Sequence, residues 1–182
     1  MNRTSGHFVS ALLWMALSIG CTVAVQAADV PTNLPSTRVA AADPQLIAFK
    51  QAIRSKYDLK ERAFAAHDVE TIVTRFYAAD AITAGEGSNV AVGRDQIRAD
   101  YQKEEFKYRI KFDSVYTFVD GDAGWDWADF GFFSTDGTKK LATVGMVVLW
   151  AKVNGQWMCK GEFYVTGSLR AGKLGPLPTA AK

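Results

Sequence analysis

Between residues 142 and 151 the chain reads ATVGMVVLWA, with almost nothing polar on either face. An extended segment sends alternate side chains to opposite faces, so a strand apolar on both must be covered on both. This stretch cannot belong to a sheet with one wet side. It calls for a layer of helices on one face and, on the other, a second cover that a second subunit would supply.

The flanking segments are strands as well. Phe106, Tyr108, Ile110 and Phe112 alternate with Lys107, Arg109, Lys111 and Asp113, the pattern of a half-buried strand. It continues through 115–119 to a turn at Asp120-Gly121-Asp122, and a second strand over 125–133 closes at Ser134-Thr135-Asp136-Gly137. The third, 141–153, ends at Asn154-Gly155, a strong short-range hairpin signal, and 157–165 is the fourth. The row Lys107, Arg109, Lys111 is read as a solvated strand face.

Helices precede these strands. Asp43-Pro44 opens one with an acidic N-cap and a proline at the first helical position. Leu46, Phe49, Ile53, Tyr57 and Phe64 form its apolar stripe, with Lys50, Arg54, Lys60 and Glu61 read as lying off it. The helix is expected to stop near Ala66-His67, and Asp68 to cap a shorter one through Ile72, Val73 and Phe76. From there the chain reads as a helix exit at Asp80, a short strand over 81–83, a polar turn at Glu86-Gly87-Ser88-Asn89 and another short strand over 90–92. A helix capped by Asp95 and carrying Ile97 and Tyr101 follows. Helices first and four long strands after argue for an α+β domain, its N-terminal helices packed on a curved antiparallel sheet.

Residues 1–27 read as a cleaved signal peptide. Arg3 precedes an apolar run over 8–19, too short to span a bilayer, and Val25-Gln26-Ala27 offers a small-residue cleavage site. The protein is therefore expected in the periplasm or outside the cell; a lipoprotein signal ending at Gly20-Cys21 is the weaker alternative. Residues 28–42 read as a flexible leader, 43–167 as the domain and 168–182 as a loose tail. Cleavage removes Arg3 and no acid, taking the net charge from +2 to +1. A chain so nearly neutral gives no electrostatic case for nucleic acid or an anionic membrane. Cleavage leaves Cys159 and His67 as the lone cysteine and histidine, so neither a disulfide nor a His/Cys metal site is expected, nor a Ser–His or Cys–His nucleophile. Cys159 is read as a small core residue and His67 as a helix-end residue. No phosphate-binding glycine loop occurs, and no cofactor is expected.

Residues 68–102 (DVETIVTRFYAADAI, then VAVGRDQIRADYQ) resemble the nuclear transport factor 2-like superfamily, which includes ketosteroid isomerases and SnoaL-type polyketide cyclases. Trp150, Gly155-Gln156-Trp157 and Gly161-Glu162-Phe163 fit the same template. The resemblance implies a conical half-barrel with an internal pocket between the long helix and the concave sheet, usually in a dimer. It leaves function open, because one fold hosts enzymes, binders and assembly domains. The isomerases' catalytic aspartate position falls at Gly85, and their oxyanion-stabilising tyrosine near Lys60, whose cation is expected along the helix surface.

The candidate carboxylates are Glu86, next to the vacant base position, Asp129 (or Asp126, on the opposite face of the same strand) and Glu162. A carboxylate among aromatics loses hydration and becomes a plausible base. Tyr57, Phe64, Trp125, Trp127, Trp150 and Phe163 are expected to line an apolar pocket, with Phe132, Trp157 and Tyr164 nearby. Two functions follow: a small-molecule-binding or assembly domain, or a cofactor-free isomerase, lyase or hydrolase using one pocket carboxylate.

Overall fold

A computed structural model describes residues 43–87 and 90–174. The expected signal peptide (residues 1–27, with Cys21), the expected leader (28–42), Ser88 and Asn89 of the polar turn, and residues 175–182 lie outside the described residues. The elements are α1 (Pro44–Ala65), α2 (Val69–Thr71) running into a π-helical turn (Ile72–Phe76), β1 (Tyr77–Gly85), β2 (Ala91–Val92), α3 (Gly93–Tyr101), β3 (Arg109–Asp120), β4 (Ala123–Phe133), β5 (Lys140–Val153), β6 (Gln156–Ser168) and β7 (Lys173–Leu174).

Both acidic caps ahead of the first two helices form: Asp43 accepts from the Gln45 amide and Asp68 from the Thr71 amide, each at 2.9 Å. Asp95 does not cap α3. That helix starts two residues earlier at Gly93 (φ +77°), and Asp95 instead pairs with Arg98 one turn on. The helix exit expected at Asp80 also moves, because the wide π turn spends one extra residue and releases the chain at Phe76; β1 begins at Tyr77. Arg94 locks this junction, donating to the carbonyls of Thr74 and Tyr77.

Six strands form one curved, unclosed sheet in the order β2-β1-β6-β5-β4-β3, with the short β7 added beside the end of β6. The four long strands are antiparallel neighbours joined by tight turns, the last through Asn154 (φ 51°) and Gly155 (φ 76°). The sheet is nevertheless mixed, since β1 returns parallel to β6. α1 lies across the concave side, burying Phe49, Ile53, Tyr57, Ala63 and Phe64. Tyr57 stacks on Phe112 at 4.2 Å and meets Trp150 edge-on at 5.6 Å.

Two β-bulges decide which side chains face inward. In β3 the register slips between Ser114 and Tyr116, so Ser114 and Thr117 face the core while Tyr116 and Phe118 turn outward. In β6, Cys159 pairs with Trp150 and Gly161 with Leu149, leaving Lys160 as the extra residue. The bulge flips the parity, so Trp157 and Cys159 are inward before it and Glu162 and Tyr164 after it.

Of the expected loose tail, residues 168–174 are described. Ser168 and the Leu169 amide donate to Asp129 at 2.6 and 2.7 Å, and Arg170 pairs with Asp113 and the Ser114 carbonyl. Among the described residues no helix is long and apolar enough to cross a membrane.

Candidate functional site

Between the helix layer and the concave sheet lies an open-mouthed cavity of about 530 Å³. Its apolar and aromatic lining is Phe64 from α1, Ile97 from α3, Tyr108 just before β3 and Ile110 within it, Phe130 and Phe132 from β4, Val144 and Met146 from β5, and Tyr164 from β6, and polar residues including Asp100 and Glu104 share the wall. Strand alternation explains the set, since Phe130/Phe132 and Val144/Met146 are i, i+2 pairs.

Polar chemistry gathers at the buried end. Lys60 Nζ lies 2.6 Å from Glu162 Oε1 and donates to Tyr77 Oη at 2.8 Å; Tyr77 donates to Glu162 Oε2 at 2.6 Å. Lys60 is 2 % exposed and Glu162 7 %. The hydroxyls of Tyr77 and Tyr101 are 3.3 Å apart, so Tyr101, half-buried on α3, joins this closed triangle to the cavity. The ammonium is also flanked by the rings of Phe76 at 4.4 Å, Tyr77 at 4.8 Å and Phe112 at 5.2 Å.

Burial opposes the charged form of Lys60, but the adjacent Glu162 carboxylate outweighs it and holds the ammonium pKa above its ordinary value. Burial, reinforced by the negative charge of Glu162, pushes the Tyr77 hydroxyl well up; burial also raises Tyr101. The centre is thus a protonated lysine, a carboxylate and two neutral phenols. A permanently protonated lysine is no Schiff-base nucleophile. A carboxylate with both oxygens engaged must surrender a hydrogen bond to accept a substrate proton.

Of the three carboxylates singled out from sequence, the structure places only Glu162 in this cavity. Glu86 is exposed, and its Oε2 accepts from the Thr166 amide at 3.1 Å, continuing the β1–β6 ladder. Asp129 faces the opposite side of the sheet, where it anchors the tail. Asp126 points inward but lies in the core, accepting from Tyr57, Ser114 and Thr117 at 2.7–2.9 Å. Desolvation raises its pKa against the lowering effect of these hydrogen bonds.

The aromatic expectations divide the same way. Phe64 lines the cavity, while Tyr57 and Trp150 are core residues beneath it. Trp125, Trp127 and Phe163 do not line it: they are 41 %, 40 % and 53 % exposed on the convex face. Alternation sends Trp125 and Trp127 opposite to the inward Asp126 and Ala128, and the β6 bulge sends Phe163 out when it turns Glu162 in.

Lys60 departs from its expected place on the helix surface. The apolar stripe of α1 has a seven-residue step from Tyr57 to Phe64, and Lys60 fills that gap on the same face. Tyr77 and Tyr101 went unsingled because each reads as an ordinary amphipathic position. At the isomerases' base position, a Cβ on Gly85 would lie 2.1 Å from the Tyr164 ring, which fills the space a side chain would need. Among the described residues no three His, Cys, Asp or Glu side chains gather to hold a metal ion.

The convex face carries two cross-strand rows: Tyr116, Trp127, Val147 and Phe163, and beside it Phe118, Trp125, Leu149 and Gly161. Phe118 and Trp125 stack at 5.3 Å.

No protein-family model and no curated protein matches this chain. Solved structures do match its fold. A nuclear transport factor 2-like protein with a cystatin-like fold from Novosphingobium aromaticivorans superposes with a TM-score of 0.60 at 16% identity, over 70% of this chain and 89% of its own. A ketosteroid isomerase-like protein from Erwinia carotovora atroseptica gives 0.54 at 15% identity, over 69% and 98%. A nuclear transport factor 2-like protein of unknown function from Shewanella oneidensis MR-1 gives 0.54 at 13% identity, over 63% and 97%. At these identities the likeness is one of fold.

Proposed function

We propose that this chain, which has the nuclear transport factor 2-like cone fold, is an exported binding domain that takes one small, largely apolar molecule into its inner cavity. The carrying observation is the cavity itself: about 530 Å³, lined by aromatic and aliphatic side chains, with Lys60 and Glu162 at its buried end and Asp100 and Glu104 elsewhere on its wall. Volumes of roughly 300–1,000 Å³ with few convergent polar groups characterise small-molecule sites. Thermal-shift screening of the mature protein against small apolar compounds tests the reading. It expects hits whose stabilisation disappears in Val144→Trp, which fills the cavity; hits unaffected by that substitution refute it.

The same proposal includes removal of residues 1–27 on export and assembly as a homodimer through the convex rows. Mass spectrometry of the exported form should find an N-terminus at or near Ala28, and a full-length cytoplasmic product contradicts it.

A second reading, a cofactor-free isomerase, lyase or hydrolase, is favoured by one observation: Glu162 stands in the cavity beside two phenols. It requires turnover that Glu162→Gln abolishes while the apolar hits still bind.

A further inference from the structure

We infer that the cavity selects an uncharged ligand with a single hydroxyl, an alcohol or phenol, donating to the Tyr101 hydroxyl, and excludes carboxylates. The inference rests on the binding reading above and sharpens it to a ligand class.

A buried lysine in an apolar cavity would ordinarily mark a site for an anion. Here the ammonium is already neutralised by Glu162 at 2.6 Å and donates a second hydrogen bond to the Tyr77 hydroxyl at 2.8 Å. Both Glu162 oxygens are in turn occupied. A ligand carboxylate arriving there would lose its hydration and meet a centre of no net charge, at a cost of several kcal/mol per buried ion. The lining also carries the Glu104 carboxylate, and Asp100, whose charge is paired with Lys103 at 3.0 Å.

All four members of the network line the cavity, and Tyr101 is the most exposed of them. Its hydroxyl has one proton and two acceptor lone pairs and lies 3.3 Å from the Tyr77 hydroxyl. The Tyr77 proton goes to Glu162 Oε2, so Tyr101 donates to Tyr77 and keeps a lone pair to accept from a ligand hydroxyl. Burial raises the Tyr101 pKa, which keeps this proton in place.

Equilibrium dialysis of the full mature protein at neutral pH with naphthalene, 2-naphthol and 2-naphthoate tests this. The expected result is 2-naphthol bound about fivefold or more tighter than naphthalene, one net hydrogen bond's worth, and 2-naphthoate weaker than both. Tyr101→Phe should remove the naphthol advantage and leave naphthalene unchanged. Glu162→Gln, which leaves Lys60 uncompensated, should raise 2-naphthoate affinity. Naphthoate binding the wild type as well as naphthol does, or a naphthol advantage that survives Tyr101→Phe, overturns the inference even should Glu162→Gln fail to fold. If naphthalene itself is not retained, the underlying binding reading falls instead.

Discussion

Lys60 Nζ and Glu162 Oε1 are 2.6 Å apart although 102 residues separate them, one on the first helix and the other on the last long strand. The pair ties α1 to β6 at the buried end of the cavity. Removing one partner leaves the other charge buried without compensation, which typically costs about 3–5 kcal/mol. Lys60→Met and Glu162→Gln should each lose that much in urea unfolding. The Lys60→Met/Glu162→Gln double variant should lose clearly less than the sum, with a coupling above about 1 kcal/mol. Strict additivity would show that the two groups do not act as a pair.

Stability should fall steeply in alkali. Tyr57, Tyr77 and Tyr101 all keep their protons above the ordinary tyrosine value of 10.0, and Cys159 above 9.0, with burial the largest cause in each. Lys60 is also raised above 10.5. For each group the folded state holds a proton that the unfolded state releases, so its contribution is whole below the unfolded pKa and lost as pH rises toward the folded one. Each contributes a slope of roughly −1.4 kcal/mol per pH unit once its unfolded form ionises. Chemical denaturation between pH 8 and pH 11 should show the slope steepening above about pH 10; a flat profile there contradicts the burial of these groups.

The convex rows should be buried between two copies. Trp125, Trp127, Phe118 and Phe163 are all exposed and are neighbours in two cross-strand rows, and contiguous exposed aromatics of this kind mark interaction surfaces. Light scattering at micromolar concentration should give a dimer, and Trp125→Glu with Trp127→Glu a folded monomer. A wild-type monomer sinks this part of the proposal.

Proton shuttling on an unsaturated ketosteroid should be absent at useful rates. The Tyr164 ring occupies the space a base at Gly85 would need, and Glu86 is committed to the Thr166 amide. A missing general base costs roughly 10²–10⁴ in rate and a missing oxyanion donor roughly 10²–10³ more. Turnover abolished by Glu86→Gln would show that the β1 turn opens inward.

The layer order, the four long strands and the Asn154-Gly155 hairpin were legible because period-2 alternation and turn chemistry are local signals. The floor of the cavity was not. Lys60 sits in a heptad gap between Tyr57 and Phe64, where the spacing called for an apolar residue and the charge argued for the surface. Its burial depends on Glu162, whose facing depends on one extra residue in β6. A bulge leaves no mark in hydrophobic alternation until the partner strand's register is known, so Glu162 was visible as a candidate but its three neighbours were not. The same one-residue shifts turned Phe163, Tyr116 and Phe118 to the outside.

The inner cavity, and not the aromatic convex face, is the proposed ligand site. Side-chain methyl and aromatic NMR shifts followed during titration with 2-naphthol test it most directly. The account predicts saturable changes at Phe64, Tyr101, Phe130, Phe132, Val144 and Met146, with Trp125 and Trp127 silent. Changes confined to Trp125, Trp127, Tyr116 and Phe118, with the cavity residues unmoved, would contradict it.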